Sequence, residues 1–139
     1  MRSKKLHTTK SEYETLAALR YALRQFLGFS EQAAQRAGLT PQQHQALLAI
    51  KGFPERDRVT VGELAERLRV RHHSAVGLAD RLVSQRLVTR TQGTKDRRQV
   101  YLGLTARGEA VLERLSAAHK EQLRRVGPHI GELLERLRG

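Results

Sequence analysis

Apolar residues recur at helical spacing along most of the chain and change to strict alternation only around residues 100–104, so the pattern predicts a mainly helical fold with one small β element. Ser11-Glu12-Tyr13-Glu14 has the form of a capping box, and Leu16, Leu19, Leu23, Phe26 and Leu27 then give one apolar face up to Gly28. Ser30 to Gly38 reads as a short helix of its own. Thr40-Pro41-Gln42-Gln43 opens another, with Ala46, Leu47 and Ile50 on its inner face before Gly52. Thr60-Val61-Gly62-Glu63 is a second capping box, followed by Leu64, Ala65 and Leu68. After a short break near Val70-Arg71, the run from His72 to Gln85 places Ala75, Leu78, Ala79 and Leu82 on one stripe. Thr105 is placed to cap a long helix through Val111, Leu112, Leu115, Ala118 and Val126. Gly127-Pro128 is expected to end that helix, leaving Ile130, Leu133, Leu134 and Leu137 as a last apolar stripe.

The stretch from Val59 to Thr105 has the order helix, tight turn, helix, hairpin. Leu87-Val88-Thr89-Arg90 and the alternating Val100, Leu102 and Leu104 flank a polar, glycine-containing segment, Gln92 to Arg98, whose tip carries Lys95, Arg97 and Arg98. A basic tip beside a helix is a wing, and this order puts the His72–Gln85 helix in a DNA major groove. Opposite its buried stripe that helix presents His73, Gly77 and Ser84, with Ser74 and Arg81 on one flank and Val76 on the other. The candidate DNA-binding residues are therefore Arg71, His72, His73 and Ser74 at the helix start, Gly77 for close approach, Arg81, and Lys95, Arg97 and Arg98 on the wing. Asp80 lies near the same face and would repel phosphate, so a structural ion pair between Asp80 and Arg98 is expected to hold the wing to the helix.

These residues resemble the winged helix-turn-helix of the MarR (multiple antibiotic resistance regulator) family. The resemblance rests on Asp80-Arg81-Leu82 in the second helix, Asp96-Arg97-Arg98 in the wing and Leu104-Thr105-Ala106-Arg107-Gly108 at the next helix start, in order and at the family's separations. Two positions depart from the family pattern: Arg71 stands where a small hydroxyl residue usually caps the recognition helix, and Arg86 where a glycine usually ends it. The resemblance implies a winged helix-turn-helix lobe over residues 39–105 within a single domain of 139 residues. The flanking helices, residues 10–38 and 106–139, would be the dimerisation apparatus of a twofold homodimer, and the apolar stripes at both ends independently call for a covering surface. It further implies a transcriptional repressor released by a small-molecule effector. Tyr21, Phe26, Phe29 and His44 are candidates for an effector pocket between arm and DNA lobe, with ordinary core packing as the alternative.

The formal net charge is +12, and residues 59–105 carry nine basic against four acidic side chains, or +5 of it, which favours a polyanionic partner such as double-stranded DNA. A constitutive, weakly specific chromosome-organising protein would share that charge. Cysteine is absent, so neither a disulfide nor a thiol redox sensor is expected. No apolar run approaches a membrane span and the first seven residues lack the core of a signal peptide, giving a cytoplasmic expectation. His72 and His73 are neighbours pointing about 100° apart. His7, His44, His119 and His129 are scattered, so no metal is expected. Without a phosphate loop or a paired nucleophile and base, neither an enzyme nor a cofactor is expected.

Overall fold

The computed structural model describes residues 6–138, so most of the amino-terminal stretch considered as a targeting signal lies outside the described residues. Five helices and a small sheet follow in the order α1 (Lys10–Arg36), α2 (Pro41–Lys51), β1 (Arg58–Thr60), α3 (Val61–Leu68), α4 (His72–Ser84), β2 (Val88–Gln92), β3 (Val100–Leu104) and α5 (Ala106–Leu137). Threonine starts four of the five helices. Thr9, Thr40 and Thr60 each accept the amide three residues on, while Glu12, Gln43 and Glu63 reach back to the cap amide. Thr105 accepts from the Gly108 amide at 3.0 Å. At the first helix the expected box at Ser11 and Glu14 is replaced by the one at Thr9 and Glu12. The two boxes are two residues out of phase and only one can close; the earlier one adds two helical residues.

Two expected helix breaks do not occur. The helix expected to stop at Gly28 and the short one from Ser30 are a single α1, and α5 runs through Gly127 and Pro128. A glycine costs a helix interior about 1 kcal/mol and a proline about 3 kcal/mol. Beyond those points, Ala34 is fully buried in the main core and Leu133 is fully buried on α5, which packs along α1, and burial of a leucine alone offsets about 2 kcal/mol. Tertiary packing therefore carries the helices across their weak points.

The sheet is antiparallel in the order β1-β3-β2. Val88 faces Leu104 and Gln92 faces Val100 in the hairpin, while Val59 faces Leu102 on the other edge. The hairpin matches the alternation in the sequence; β1 adds a third strand that its three residues, with Val59 alone pointing inward, were too short to announce. One core joins all of this: Leu47 and Ile50 of α2, Leu64 of α3, Leu78 and Leu82 of α4, Val59, Val88 and Leu102 of the sheet, and Val111, Leu112 and Leu115 of α5. Packing α4 from below while its outer face stays bare is what fixes it as a projecting element.

Candidate nucleic-acid interface

The turn into α4 is built from the end of α3. Arg69 takes the left-handed conformation, with φ +55° and ψ +47°, and the Val70 amide donates back to the Ala65 carbonyl at 3.0 Å. Arg71 then sits at the N-cap of α4, in extended conformation and without any side-chain cap hydrogen bond. Its substitution for a hydroxyl residue leaves the first amides of α4 free to donate outward, where the helix dipole is positive. A guanidinium stands at the same spot.

From that start, Ala75, Leu78, Ala79 and Leu82 are buried, and Arg71, His72, His73, Ser74, Val76, Asp80, Arg81 and Ser84 are exposed. Gly77 is half-buried because Arg81 folds back over it: the Arg81 Nη2 lies 3.8 Å from where a Cβ would stand. A Cβ at 77 would make ordinary van der Waals contact with that guanidinium. Past the end of α4, Arg86 adopts φ +60°, the region that favours the glycine it replaces.

The wing is shaped by Asp96. Its Oδ1 accepts from the Arg98 amide at 3.0 Å and from the Arg98 Nε at 3.3 Å, while the Asp96 carbonyl accepts from the Gln99 amide at 3.1 Å. Gly93 donates to the Gln99 carbonyl at 2.8 Å, and a Cβ on it would lie 2.5 Å from the Asp96 carbonyl oxygen, so only glycine closes this turn. Gln92 Nε2 donates to the Arg97 carbonyl at 2.7 Å. Backbone and aspartate are thus consumed within the loop, and the Lys95, Arg97 and Arg98 side chains project from it, all exposed.

The expected pair between Asp80 and Arg98 is not formed. Asp80 pairs instead with Arg90 on β2, and Arg98 with its near neighbour Asp96. A contact two residues away costs far less chain ordering than one across the lobe, which is why Arg98 closes locally. Arg90 does the job assigned to Arg98, tying the hairpin to α4 and neutralising a carboxylate beside the cationic face.

Comparison with known proteins accords with this geometry. Residues 37–99 match the MarR family. The HTH-type transcriptional repressor MdtR of Bacillus subtilis is 34% identical over 89 residues, which are 64% of this chain and 56% of MdtR, so the match spans little more than half of that relative.

The winged lobe carries a MarR family domain over residues 37–99.

A MarR family protein from Bacillus stearothermophilus shares the fold with a TM-score of 0.77 at 22% identity, over 96% of this chain and 94% of that one. A mutant of S. aureus MepR bound to an oligodeoxyribonucleotide gives 0.69 at 17% identity, over 94% and 99%. Both likenesses speak for the MarR fold alone. The family's Leu-Thr-x-x-Gly pattern has a direct physical reading here. The Thr105 hydroxyl donates to the Arg86 carbonyl at 2.6 Å while capping α5, and a Cβ on Gly108 would overlap the Leu87 carbonyl oxygen. Hydroxyl and glycine together dock the long arm against the segment that follows α4.

Of the four pocket candidates the structure gathers three. Phe26 and Phe29 of α1 and His44 of α2 surround His119 of α5, with ring centroids 5.8, 5.4 and 4.8 Å from it. Tyr21 is 63% exposed and stands apart from them. His119 was not among the sequence candidates; its only sequence signal is that it follows Leu115 by one helical turn, on the edge of the inner stripe. Its Nδ1 is 2.6 Å from the Leu115 carbonyl and its Nε2 is 2.7 Å from the Ser30 hydroxyl. Burial, and next the proximity of His119, push the His44 imidazole below its ordinary pKa. A groove of about 410 Å³ opens alongside, lined by Phe29, Ala33, Leu115 and Ala118 with Arg36 and Arg114 among its walls.

On the outer face of the lobe, Phe53 lies between the guanidinium groups of Arg56 and Arg67, 4.4 and 4.9 Å from its centroid, and Arg58 lies 4.8 Å over Tyr101. Arg56 also pairs with Glu63. Burial raises the Glu63 pKa, but the Thr60 amide and Arg56 outweigh it and hold the carboxyl below its usual range, so the α3 cap stays ionised. Among the described residues no group of three or more histidine or acidic side chains could hold a metal, and no helix is long and apolar enough to cross a membrane.

Proposed function

We propose that the protein is a sequence-specific, DNA-binding transcriptional regulator: a cytoplasmic homodimeric repressor that binds a pseudopalindromic operator and is released by a small-molecule effector. The observation that carries this reading is α4 itself, packed from below by a complete core, uncapped at its start, and bare on a face of histidine, serine, glycine and arginine beside a cationic wing. His72, His73 and Ser74 supply donors and acceptors for base edges, and Gly77 lets the duplex approach. Arg71 and Arg81 flank that approach, while Lys95, Arg97 and Arg98 reach phosphates or the minor groove. Asp80 and Arg90 hold the two contacting elements in register. No catalytic step is assigned to any residue.

Dimerisation by the arms, residues 10–38 and 106–139, places two such helices about 34 Å apart, one DNA turn. The groove by Phe29, with Arg36 and Arg114, lies between α1 and α5 near their contact with the lobe, so an occupant there would alter the angle at which the arms hold the two reading helices. The experiment is selection of bound sequences from random DNA by the purified protein, followed by titration of the selected and scrambled duplexes at matched salt. The expected result is a pseudopalindrome bound at least about a thousandfold more tightly than the scramble. Equal affinity for both would replace this reading with that of a chromosome-organising protein.

A further inference from the structure

We propose that Val76 is a specificity-determining residue that reads the 5-methyl group of a thymine in each operator half-site. The assignment rests on the reading of α4 as a groove-binding helix. Val76 is 37% exposed and is the one large apolar side chain on the outer surface of α4, whose other exposed residues are Arg71, His72, His73, Ser74, Asp80, Arg81 and Ser84. Its place is one turn after His72 and one turn before Asp80, on the flank whose far end is held by the ion pair of Asp80 with Arg90. That position belongs to the second turn of the helix, behind the polar groups at its start and within the depth that a groove-reading helix presents to bases.

The polar residues around it match hydrogen-bonding base edges, and none of them separates thymine from other bases by its methyl group. An isopropyl group does, because burying it against a C5-methyl removes apolar surface from both partners. It also discriminates in the other direction. Against the cytosine amino group, valine would displace water from a donor and offer no acceptor in exchange. Valine in a helix is held in one dominant rotamer, so its methyls are already placed before DNA arrives and little side-chain freedom is lost on binding.

Uracil differs from thymine only by the methyl, which makes the test a matter of one carbon. In the selected operator each thymine is replaced singly by uracil, and each duplex is titrated with the wild type, Val76→Ala and Val76→Ile. At one thymine per half-site the replacement should weaken wild-type binding about fourfold, the change expected from exposing one methyl. Val76→Ala should bind the thymine operator less tightly by a similar factor and show no preference between the two bases there. Val76→Ile should keep the preference. Circular dichroism should be unchanged in both variants, since the residue lies outside the core cluster. If an operator emerges but no uracil position distinguishes wild type from Val76→Ala, the assignment of Val76 is overturned while the reading of the lobe stands. If selection enriches no sequence, sequence-specific reading fails and this assignment fails with it.

Discussion

The winged lobe and the helical arms use similar numbers of leucines to opposite ends. In the lobe, Leu47, Leu64, Leu82, Leu87 and Leu102 are all buried in one core that extends to the first turns of α5, and Leu48 is the leucine left exposed. In the arms, Leu16, Leu23, Leu27, Leu123 and Leu134 remain exposed, Leu27 at 54% and Leu134 at 53%, although α1 and α5 pack along each other. A lobe with a continuous core can be rigid, which suits the proposed presentation of side chains to bases with fixed geometry. Arms left half-covered fit a role in which a second copy supplies the rest. The difference teaches where to strike in order to separate folding, assembly and recognition.

The largest effect is expected where the two regions join. Gly108 stands on the first turn of α5 with no room for a Cβ against Leu87, so Gly108→Ala should force arm and lobe apart and cost about 3 kcal/mol. In thermal unfolding that is a fall of about 10 °C. A melting temperature unchanged by the substitution would mean that the junction is soft and that lobe and arms are not one cooperative unit.

Next comes the assembly itself. Leu27→Glu together with Leu134→Glu removes two exposed apolar groups and adds charge where the proposed partner packs. Each loses about 2 kcal/mol of burial per protomer, so together they should raise the dimer dissociation constant by a thousandfold or more. Sedimentation should show monomer at micromolar concentration with the circular dichroism of the lobe intact. A dimer of undiminished stability would place the interface on some other face.

A smaller pair of effects sharpens the contrast inside the lobe. Arg97 projects from a wing turn closed by Gly93 and Asp96, whereas His73 stands on the bare face of α4. Arg97→Ala should weaken binding on operator and scrambled duplex alike and lower the steepness of the salt dependence by about one unit. His73→Ala should cost roughly 1 to 3 kcal/mol on the operator and less on the scramble. Equal losses on both duplexes with a reduced salt slope for His73→Ala would mean that it meets phosphate, not base.

The same contrast separates what the sequence made legible from what it did not. Local, periodic signals were readable: the helix start at Thr40, the box at Thr60, the Thr105 cap, the stripe through Leu78 and Leu82, and the alternation of β3 each depend on residues within a few positions. Non-local decisions were not. Pro128 signals a stop by its own chemistry, and the packing of α5 along α1, with Leu133 buried beyond the proline, overrules it. Asp80 was expected to pair with Arg98; the fold brings Arg90 of β2 to it instead, across ten positions of chain. His119 joins Phe26, Phe29 and His44 because α1 and α5 are antiparallel neighbours, a fact of topology and not of motif. Val76 was visible as an apolar residue on the flank of a polar face, and its exposure gives that placement meaning.

The smallest effect concerns that histidine, where arm and lobe meet in a titratable contact. His44 is buried on α2, and its imidazole pKa is held below the ordinary value of about 6.5 by burial first and by His119 second. Between the lowered folded-state value and the ordinary one, the unfolded chain binds a proton at this position that the folded chain refuses. Stability from this group is therefore fully present above the ordinary value and declines as the pH falls through it, until the folded-state value is reached. Urea unfolding across pH 5 to 8 should show wild-type stability falling toward acid, and His44→Gln should remove part of that slope while leaving the alkaline limb parallel. His119 is present in both proteins, so the difference between the two curves reports His44 together with its coupling to His119. The hydrogen bonds of His119 to Leu115 and Ser30 do not involve His44 and should hold that ring in place. If wild type and variant keep the same slope, arm and lobe meet without any cost in proton binding, and the contact between His44 and His119 is packing only.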